Sequence, residues 1–231
     1  MGQLKAVLFD MDGVLVSSES EILQAAMQAL AEFGIQAKPE DFEEFVGAGE
    51  DKYVGGTAQK LGYPYDLKMK ERTYEIYGKL IQGRAIAYPG VLDVLHTLKT
   101  KGYKIAVCSS ADLTKVKYNL DSMGIGLEFF DYVVTGDMVE HKKPFPDIYL
   151  AAAKYLDIQP EQCLVVEDAI NGIMAAKAAN MHHVAVTTSF SREKLIDEVQ
   201  PEYIIDDIRE LKVLLTTQVI TSFGIENESF C

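Results

Sequence analysis

Basic residues are scarce in this chain: 22 Lys and Arg stand against 35 Asp and Glu over 231 residues, a formal charge of -13. A nucleic-acid surface needs a basic face, so nucleic acid is excluded as a partner. A protein this acidic that handles an anionic substrate must create positive potential locally, with a metal ion or a few placed lysines. Cysteine is scarce too, and odd in number, at Cys108, Cys163 and Cys231. The first two fall inside apolar, strand-like runs, so they read as buried thiols of a reducing compartment, and no disulfide framework is implied. No apolar stretch is long enough to span a bilayer, no secretory signal is evident, and Ala6 breaks the Met-Gly-x-x-x-Ser/Thr acylation pattern. These absences predict a cytoplasmic protein without a membrane partner. Internal repeats and low-complexity segments are missing as well. A chain of 231 residues that is 48% hydrophobic has room for one large domain, or for a core domain with a smaller insert.

The stretch around which the rest is arranged is Val7-Leu8-Phe9-Asp10-Met11-Asp12-Gly13. An apolar run ending in Asp-x-Asp-Gly reads as a buried strand whose carboxyl end opens into a loop, where open α/β sheets bind ligands. Alternate residues of an extended chain share a face, so Asp10 and Asp12 are expected to converge. Two negative charges that close call for a cation or a proton between them, which places both in an expected metal site. Gly13 lets the backbone turn sharply or approach a ligand closely.

Past this point Ser17 to Glu21 resembles a helix start, and Ile22, Leu23, Ala26, Met27, Leu30 and Phe33 keep helical spacing up to Gly34. Residues 41–46, 51–61 and 66–81 also read as helical, and no convincing strand occurs between 17 and 85. From Tyr88-Pro89-Gly90 onward helices and strands alternate. Strands are expected at 103–108, 132–135, 163–166, 183–187 and 203–206, with helices at 91–98, 112–123 and 146–156, another ending at Ala179, and a last one through Leu215. Such alternation means βαβ units and a mostly parallel sheet covered on both faces. The expected fold is therefore α/β, with a core of residues 1–16 and 86–215, an inserted α-helical domain over 17–85, and a C-terminal tail over 216–231.

Four of the expected strands end in polar residues: Asp10 with Asp12, Ser109 with Ser110, Asp137 with the following Lys142-Lys143-Pro144, and Glu167 with Asp168. In a parallel sheet those ends lie on one edge and can share one site. A carboxylate there can attack phosphorus and form an aspartyl phosphate, dividing one hard displacement into two easier ones. Asp10 is the expected nucleophile. Asp12 is the expected acid for the leaving alkoxide and base for the incoming water. Mg²⁺ takes oxygen ligands, so Asp168 and Asp10 would hold it, with Glu167 joining them or standing behind them. Lys143 would neutralise charge on the transferred phosphoryl group and Ser109 would donate to one of its oxygens, with Ser110 and Gly13 beside the substrate. Each residue has a bland alternative: Ser109 as a helix cap, Lys143 as a loop lysine, Glu167-Asp168 as acids at a helix start. Four such coincidences at one edge are less economical than one shared site. His141, His182 and His183 are given no role.

The motifs Asp10-Met11-Asp12-Gly13-Val14-Leu15, Ser109, Lys143-Pro144 with Pro146-Asp147, and Glu167-Asp168-Ala169-Ile170-Asn171-Gly172-Ile173 resemble those of the haloacid dehalogenase superfamily, in its phosphatase branch similar to β-phosphoglucomutase. The resemblance implies a Rossmann-like core, a helical cap inserted after the first motif, Mg²⁺ dependence and a phosphoaspartate intermediate. It also implies that the Asp12 main-chain carbonyl reaches the metal while its side chain does the acid/base work.

Departures narrow the reading. Ile22 and Ala26 stand where the mutases carry a His and a Trp, and Gly47-Ala48-Gly49-Glu50 stands where they carry a Gly-x-Ser-Arg loop. A mutase must hold a second phosphate in the cap, and without that cation its charge is unpaired. Hydrolysis of small phosphorylated metabolites, such as sugar phosphates, is the expectation, with mutase transfer and a receiver-like signalling module as alternatives. The Gly47 to Gly49 loop is expected to touch the leaving group, with Gly49, Glu50, Asp51 and Lys52 as candidate contacts. A hinge is expected near Val16-Ser17 and 86–89, and the protein is expected to be a monomer.

Overall fold

A computed structural model describes residues 3–84 and 86–215; the expected tail over 216–231, with Cys231, lies outside the described residues. Strands β1 (Ala6–Phe9), β2 (Lys104–Cys108), β3 (Tyr132–Val134), β4 (Cys163–Glu167), β5 (His182–Val186) and β6 (Tyr203–Ile205) form one sheet in the order β3-β2-β1-β4-β5-β6. Every neighbouring pair is parallel. The expected α/β class with a Rossmann-like, doubly wound parallel sheet is the fold of this chain.

The sequence of β1 explains its central place. All four residues of Ala-Val-Leu-Phe are buried, with no polar alternation to give a wet face. Val7 and Phe9 enter one core, and Ala6 and Leu8 enter the core on the opposite side of the sheet. Parallel neighbours require crossover connections, and helices supply them. These are α4 (Val91–Thr100), α5 (Leu113–Ser122), α6 (Asp147–Leu156), α7 (Ile170–Ala178) and α8 (Arg192–Val199), with the short α9 (Leu211–Leu214) at the end.

Between β1 and β2 lie α1 (Glu19–Glu32), α2 (Glu50–Lys60) and α3 (Leu67–Ile81), and no strand among the described residues. Helix α1 divides its apolar surface: Ile22, Ala25 and Ala29 join the core under the sheet, while Ala26 and Leu30 join a separate cluster with Phe42, Val54 and Met69. At about 1.5–3 kcal/mol for each large side chain buried, that second cluster gives the three helices an apolar centre of their own. The chain enters and leaves this block through two segments that lie against each other. Ser17 N–H donates to the Ile86 carbonyl at 2.8 Å, Tyr88 N–H donates to Leu15 at 3.0 Å, and Val16 and Ala87 form an antiparallel bridge.

Two local expectations are corrected. Residues 41–46 form no α-helix; two 3₁₀ turns, Pro39–Asp41 and Glu43–Phe45, occupy the space between Pro39 and Gly47, which is too short to nucleate one. Helix α8 was not expected from its charged start. Its signals are nevertheless present: the Ser191 side chain caps it by accepting from Lys194 N–H, and Leu195 and Val199 bury one face.

The strand ends meet in register. Phe9 stands opposite both Val107 and Val166, so the residues that follow β1, β2 and β4 emerge side by side. From β1 the chain winds outward to β2 and β3 on one side, then to β4, β5 and β6 on the other. The loop after β1 therefore sits at the switch point, the crevice where such sheets bind ligands.

Candidate active site

Four strand ends deliver one buried charge cluster. Lys143 Nζ donates to Asp10 Oδ1 at 2.5 Å, Glu167 Oε1 at 2.7 Å and the Cys108 carbonyl at 3.0 Å. Glu167 Oε1 also accepts from Tyr149 Oη, and its Oε2 accepts from the main-chain N–H groups of Asp168 and Ala169, each at 2.9 Å. Every acceptor of Glu167 is thus engaged by residues that hold Lys143 and the β4 terminus in place. Asp168 accepts from Ser189 Oγ on the loop after β5. Burial works against the Lys143 charge, but Asp10 and Glu167 outweigh it and hold the ammonium well above its usual range.

The two aspartates of the first motif do not share a cation. Asp12 Oδ1 lies 3.0 Å from Lys115 Nζ, and it accepts from Asn119 Nδ2 at 3.3 Å and from Ser18 Oγ. Lys115 reaches onward to Glu50 Oε1 at 3.0 Å, and Tyr74 Oη donates to Glu50 Oε2 at 3.1 Å. Tyr77 Oη donates to Asn119 Oδ1 at 2.5 Å. Burial opposes the charge of Lys115 as well, yet Asp12 and Glu50 hold it well above the usual lysine range. Lys115, Asn119 and Ser18 all engage Oδ1 of Asp12, so this carboxylate faces a lysine of its own, apart from the Asp10, Glu167 and Asp168 group.

A cavity of about 480 Å³ opens over both clusters. Asp10, Asp12, Ser109, Ser110, Glu167 and Asp168 line its floor, and Phe45, Gly49, Glu50 and Tyr53 its roof. Ser109 Oγ accepts from Ala111 N–H at 3.1 Å, whereas the Ser110 hydroxyl is buried with no hydrogen-bond partner among the described residues. Gly49 has φ +82°, and a Cβ there would meet the Ser110 carbonyl at 2.9 Å, so the roof touches the floor at this point.

Two expected substrate contacts are corrected. Gly13 does not line the cavity; with φ +82° it lets the loop pack on Asp168, where a Cβ would lie 1.9 Å from Oδ2. Lys52 does not line it either and is exposed. Residues two apart on a helix face different ways, so Glu50 and Tyr53 share the inner face that Lys52 cannot reach.

Lys115 was missed because a lysine beside the apolar stripe of an amphipathic helix reads as solvated. The one faint signal is Asn119, one turn further along, which makes a polar pair at helical spacing. Phe190 and Lys194, also on the cavity wall, were missed with α8.

The chemistry of the donor set fits a divalent cation. Oxygens of Asp10, Glu167 and Asp168 lie within 4.8 Å of one another, all buried. Three carboxylates against the single ammonium of Lys143 leave two negative charges uncompensated. Burial pushes Asp10 up to about 8, Lys143 pulling it back and Glu167 and Asp12 adding to the rise. Asp168 is also held well above its ordinary value, by burial and by the charges of Glu167 and Asp10. A hard cation ligated by oxygen would relieve both.

A family model for haloacid dehalogenase-like hydrolases matches residues 4–180. The chain is 43% identical over 217 residues to Protein SUPPRESSOR OF QUENCHING 1, chloroplastic, of Arabidopsis thaliana; the match covers 92% of this chain and spans 20% of that protein. It is 30% identical over 221 residues to a phosphoglycolate phosphatase of Nitrosococcus oceani, covering 93% and 97% of the two chains. A crystal structure of CbbY from Rhodobacter sphaeroides in complex with phosphate superposes with a TM-score of 0.82 at 27% identity, covering 90% of this chain and 96% of that one. Among the described residues no helix is long and apolar enough to cross a membrane.

Proposed function

We propose that this chain, which belongs to the haloacid dehalogenase-like hydrolases and is a phosphoric monoester hydrolase, removes phosphate from small phosphorylated metabolites through a phosphoaspartate on Asp10, with Mg²⁺ as cofactor. The observation that carries this reading is the separation of Asp10 and Asp12 onto two different lysines within one cavity. One carboxylate is thereby available to attack, and the other to trade a proton.

In the first step a carboxylate oxygen of Asp10 forms a bond to phosphorus while the bond to the leaving oxygen breaks, and Asp12 gives that oxygen a proton. In the second, water attacks the phosphoaspartate, Asp12 takes the water's proton, and the Asp10 carboxylate is released with inorganic phosphate. Lys143, fixed between Asp10 and Glu167, offers positive charge to the phosphoryl oxygens without reorganising. The Ser110 hydroxyl, and Ser109 beside it, are the donors at hand for a phosphoryl oxygen. Asp10, Asp168 and the Asp12 main-chain carbonyl would hold the cation, with Glu167 positioning Lys143 behind them. Bound there, Mg²⁺ supplies charge neutralisation that lets a phosphate dianion approach the carboxylates.

Residues 17–85 act as a cap in this reading, turning on the paired crossings at Val16-Ser17 and 86–89 and excluding water until the leaving group departs. The roof carries acids, Glu43 and Glu50, where a second phosphate would need a cation, which supports hydrolysis over mutase transfer.

The test is release of inorganic phosphate from a panel of phosphorylated metabolites, with and without Mg²⁺, in wild type, Asp10→Asn and Asp12→Ala. Mg²⁺-dependent release lost in both variants is expected. Isomerised sugar phosphate without release would point to a mutase, and a long-lived phosphoaspartate without turnover to a signalling module.

A further inference from the structure

Lys115 lines the cavity, and its ammonium is engaged by two carboxylates. Its side chain is 5% exposed and is shared between Asp12, on the loop after β1, and Glu50, in the first turn of α2. Lys115 itself comes from α5, so one ammonium joins the sheet, the crossover helices and the inserted block. The partners of Asp12 are one-sided: Lys115, Asn119 and Ser18 all converge on Oδ1.

We propose that Lys115 is a positioning residue for the proton-transfer step: it occupies Asp12 Oδ1, leaves Oδ2 to exchange the proton with the leaving oxygen, and through Glu50 makes that arrangement conditional on α2 lying over the site. The inference rests on the hydrolase reading above. It assigns the exchanging atom, and it gives cap closure a route to the chemistry that needs no contact between α2 and the phosphoryl group. In the first step the proton leaves Oδ2 for the departing oxygen as the phosphorus–oxygen bond breaks. In the second, a proton of the attacking water returns to the same atom.

A second lysine crosses the same seam without touching Asp12. Lys70 of α3 lies 2.8 Å from Asp51 of α2 and 2.8 Å from Asp112, the residue that precedes α5. It supplies the control, because a lost latch and a misplaced acid have different signatures.

The experiment measures kcat/KM for a series of substituted phenyl phosphates with Mg²⁺ in wild type, Lys115→Met and Lys70→Met. A p-nitrophenolate departs without a proton, whereas an unsubstituted phenolate needs one. With Asp12 misplaced, Lys115→Met is expected to lose about 30-fold on phenyl phosphate, within the range that misplacement of a catalytic group costs. Loss on p-nitrophenyl phosphate is expected to stay under about threefold, because that step asks for no acid. Lys70→Met is expected to lower both alike.

Lys115→Met leaves Glu50 buried without a counter-ion, a change that can abolish folding; the double variant Glu50→Gln/Lys115→Met removes both charges and should keep the same leaving-group dependence. Equal losses on all leaving groups in whichever of these two variants folds, or no loss, would overturn the role of Lys115 while leaving the hydrolase intact. No turnover by wild type on any member of the series would overturn the hydrolase reading, and this proposal with it.

Discussion

Two lysines of this protein are buried to nearly the same degree, each between two carboxylates, yet they sit in different kinds of place. Lys143 holds Asp10, Glu167 and the Cys108 carbonyl, all at the ends of β1, β4 and β2. Those strands are hydrogen-bonded neighbours, so the distances among the partners are set by the sheet itself. Lys115 holds Asp12 and Glu50, and Glu50 belongs to a helix block with its own apolar centre. The first ammonium is a fixed charge that needs no rearrangement when the substrate's charge develops. The second is complete only while two packed units stay together. On the proposed mechanism, burial and pairing alone do not tell a lysine that performs chemistry from one that conditions it; the elements its partners come from do.

The largest effect should come from breaking the fixed knot. Lys143→Met is expected to lower turnover about 10³-fold or more, well beyond the loss from Lys115→Met, in phosphate-release assays. It should also destabilise the protein by about 3–5 kcal/mol at neutral pH, because Glu167 stays buried without its counter-ion. A smaller loss than that of Lys115→Met would reverse the assignment of the two lysines.

The next effect tests the negative charge left over around Lys143. In the metal-free protein Asp10 and Asp168 are held above their unfolded values, Asp10 at about 8 against 3.8. Between those limits the folded state keeps protons that the unfolded chain has shed, so stability from these groups is full below about pH 4 and declines as pH rises toward 8. A cation that replaces those protons must stabilise more at the upper end. Mg²⁺ at ten times its dissociation constant is worth about 1.4 kcal/mol, and a chain of this size gains roughly 4 °C in Tm from that. The rise is expected at pH 8 and should nearly vanish at pH 5. An equal rise at both would mean that Mg²⁺ binds elsewhere.

How much of this was legible follows from where the signals lie. The Lys143 knot was readable because three of its members close apolar strand runs, and strands of a parallel sheet end at one edge whatever their distance in sequence. The metal expectation on Asp10 and Asp168 rested on the same rule. Lys115 carried no such signal. It stands on a helix, its partners lie on a loop and on another helix, and no rule of spacing links them before the inserted block is placed. For a related reason the partner of the Asp12 carboxylate was not legible: closeness to Asp10 along the chain suggested a shared cation, and the lysine that meets it comes from α5. Helix α8 was lost to its charged first turn although its cap and its buried Leu195 and Val199 were in view.

A smaller effect separates the hinge side of the Lys115 knot from its roof. Tyr77 of α3 donates to Asn119, which in turn donates to Asp12. Tyr77→Phe removes one hydroxyl and leaves the Asn119 oxygen short of a partner, at a cost of about 1–2 kcal/mol by chemical denaturation. Because Lys115 and Ser18 still hold Asp12 Oδ1, the leaving-group dependence should barely change. A dependence as steep as that of Lys115→Met would mean that Asn119, and not the lysine, sets the carboxylate.

The smallest effect belongs to Lys52. It follows the Gly47-Ala48-Gly49 loop, which is why the sequence nominated it as a substrate contact. Helical geometry sends it outward, since the two neighbours it would need to join, Glu50 and Tyr53, are three apart on the inner face and it falls between them. Lys52→Ala is expected to change kcat/KM by less than about twofold and stability by less than about 0.5 kcal/mol, the usual range for an exposed site. A tenfold loss in kcat/KM would mean that α2 rotates when substrate binds. The Glu50 contact with Lys115 would then be a feature of the resting cap alone, and the link from cap to Asp12 would have to pass through the Tyr77 side instead.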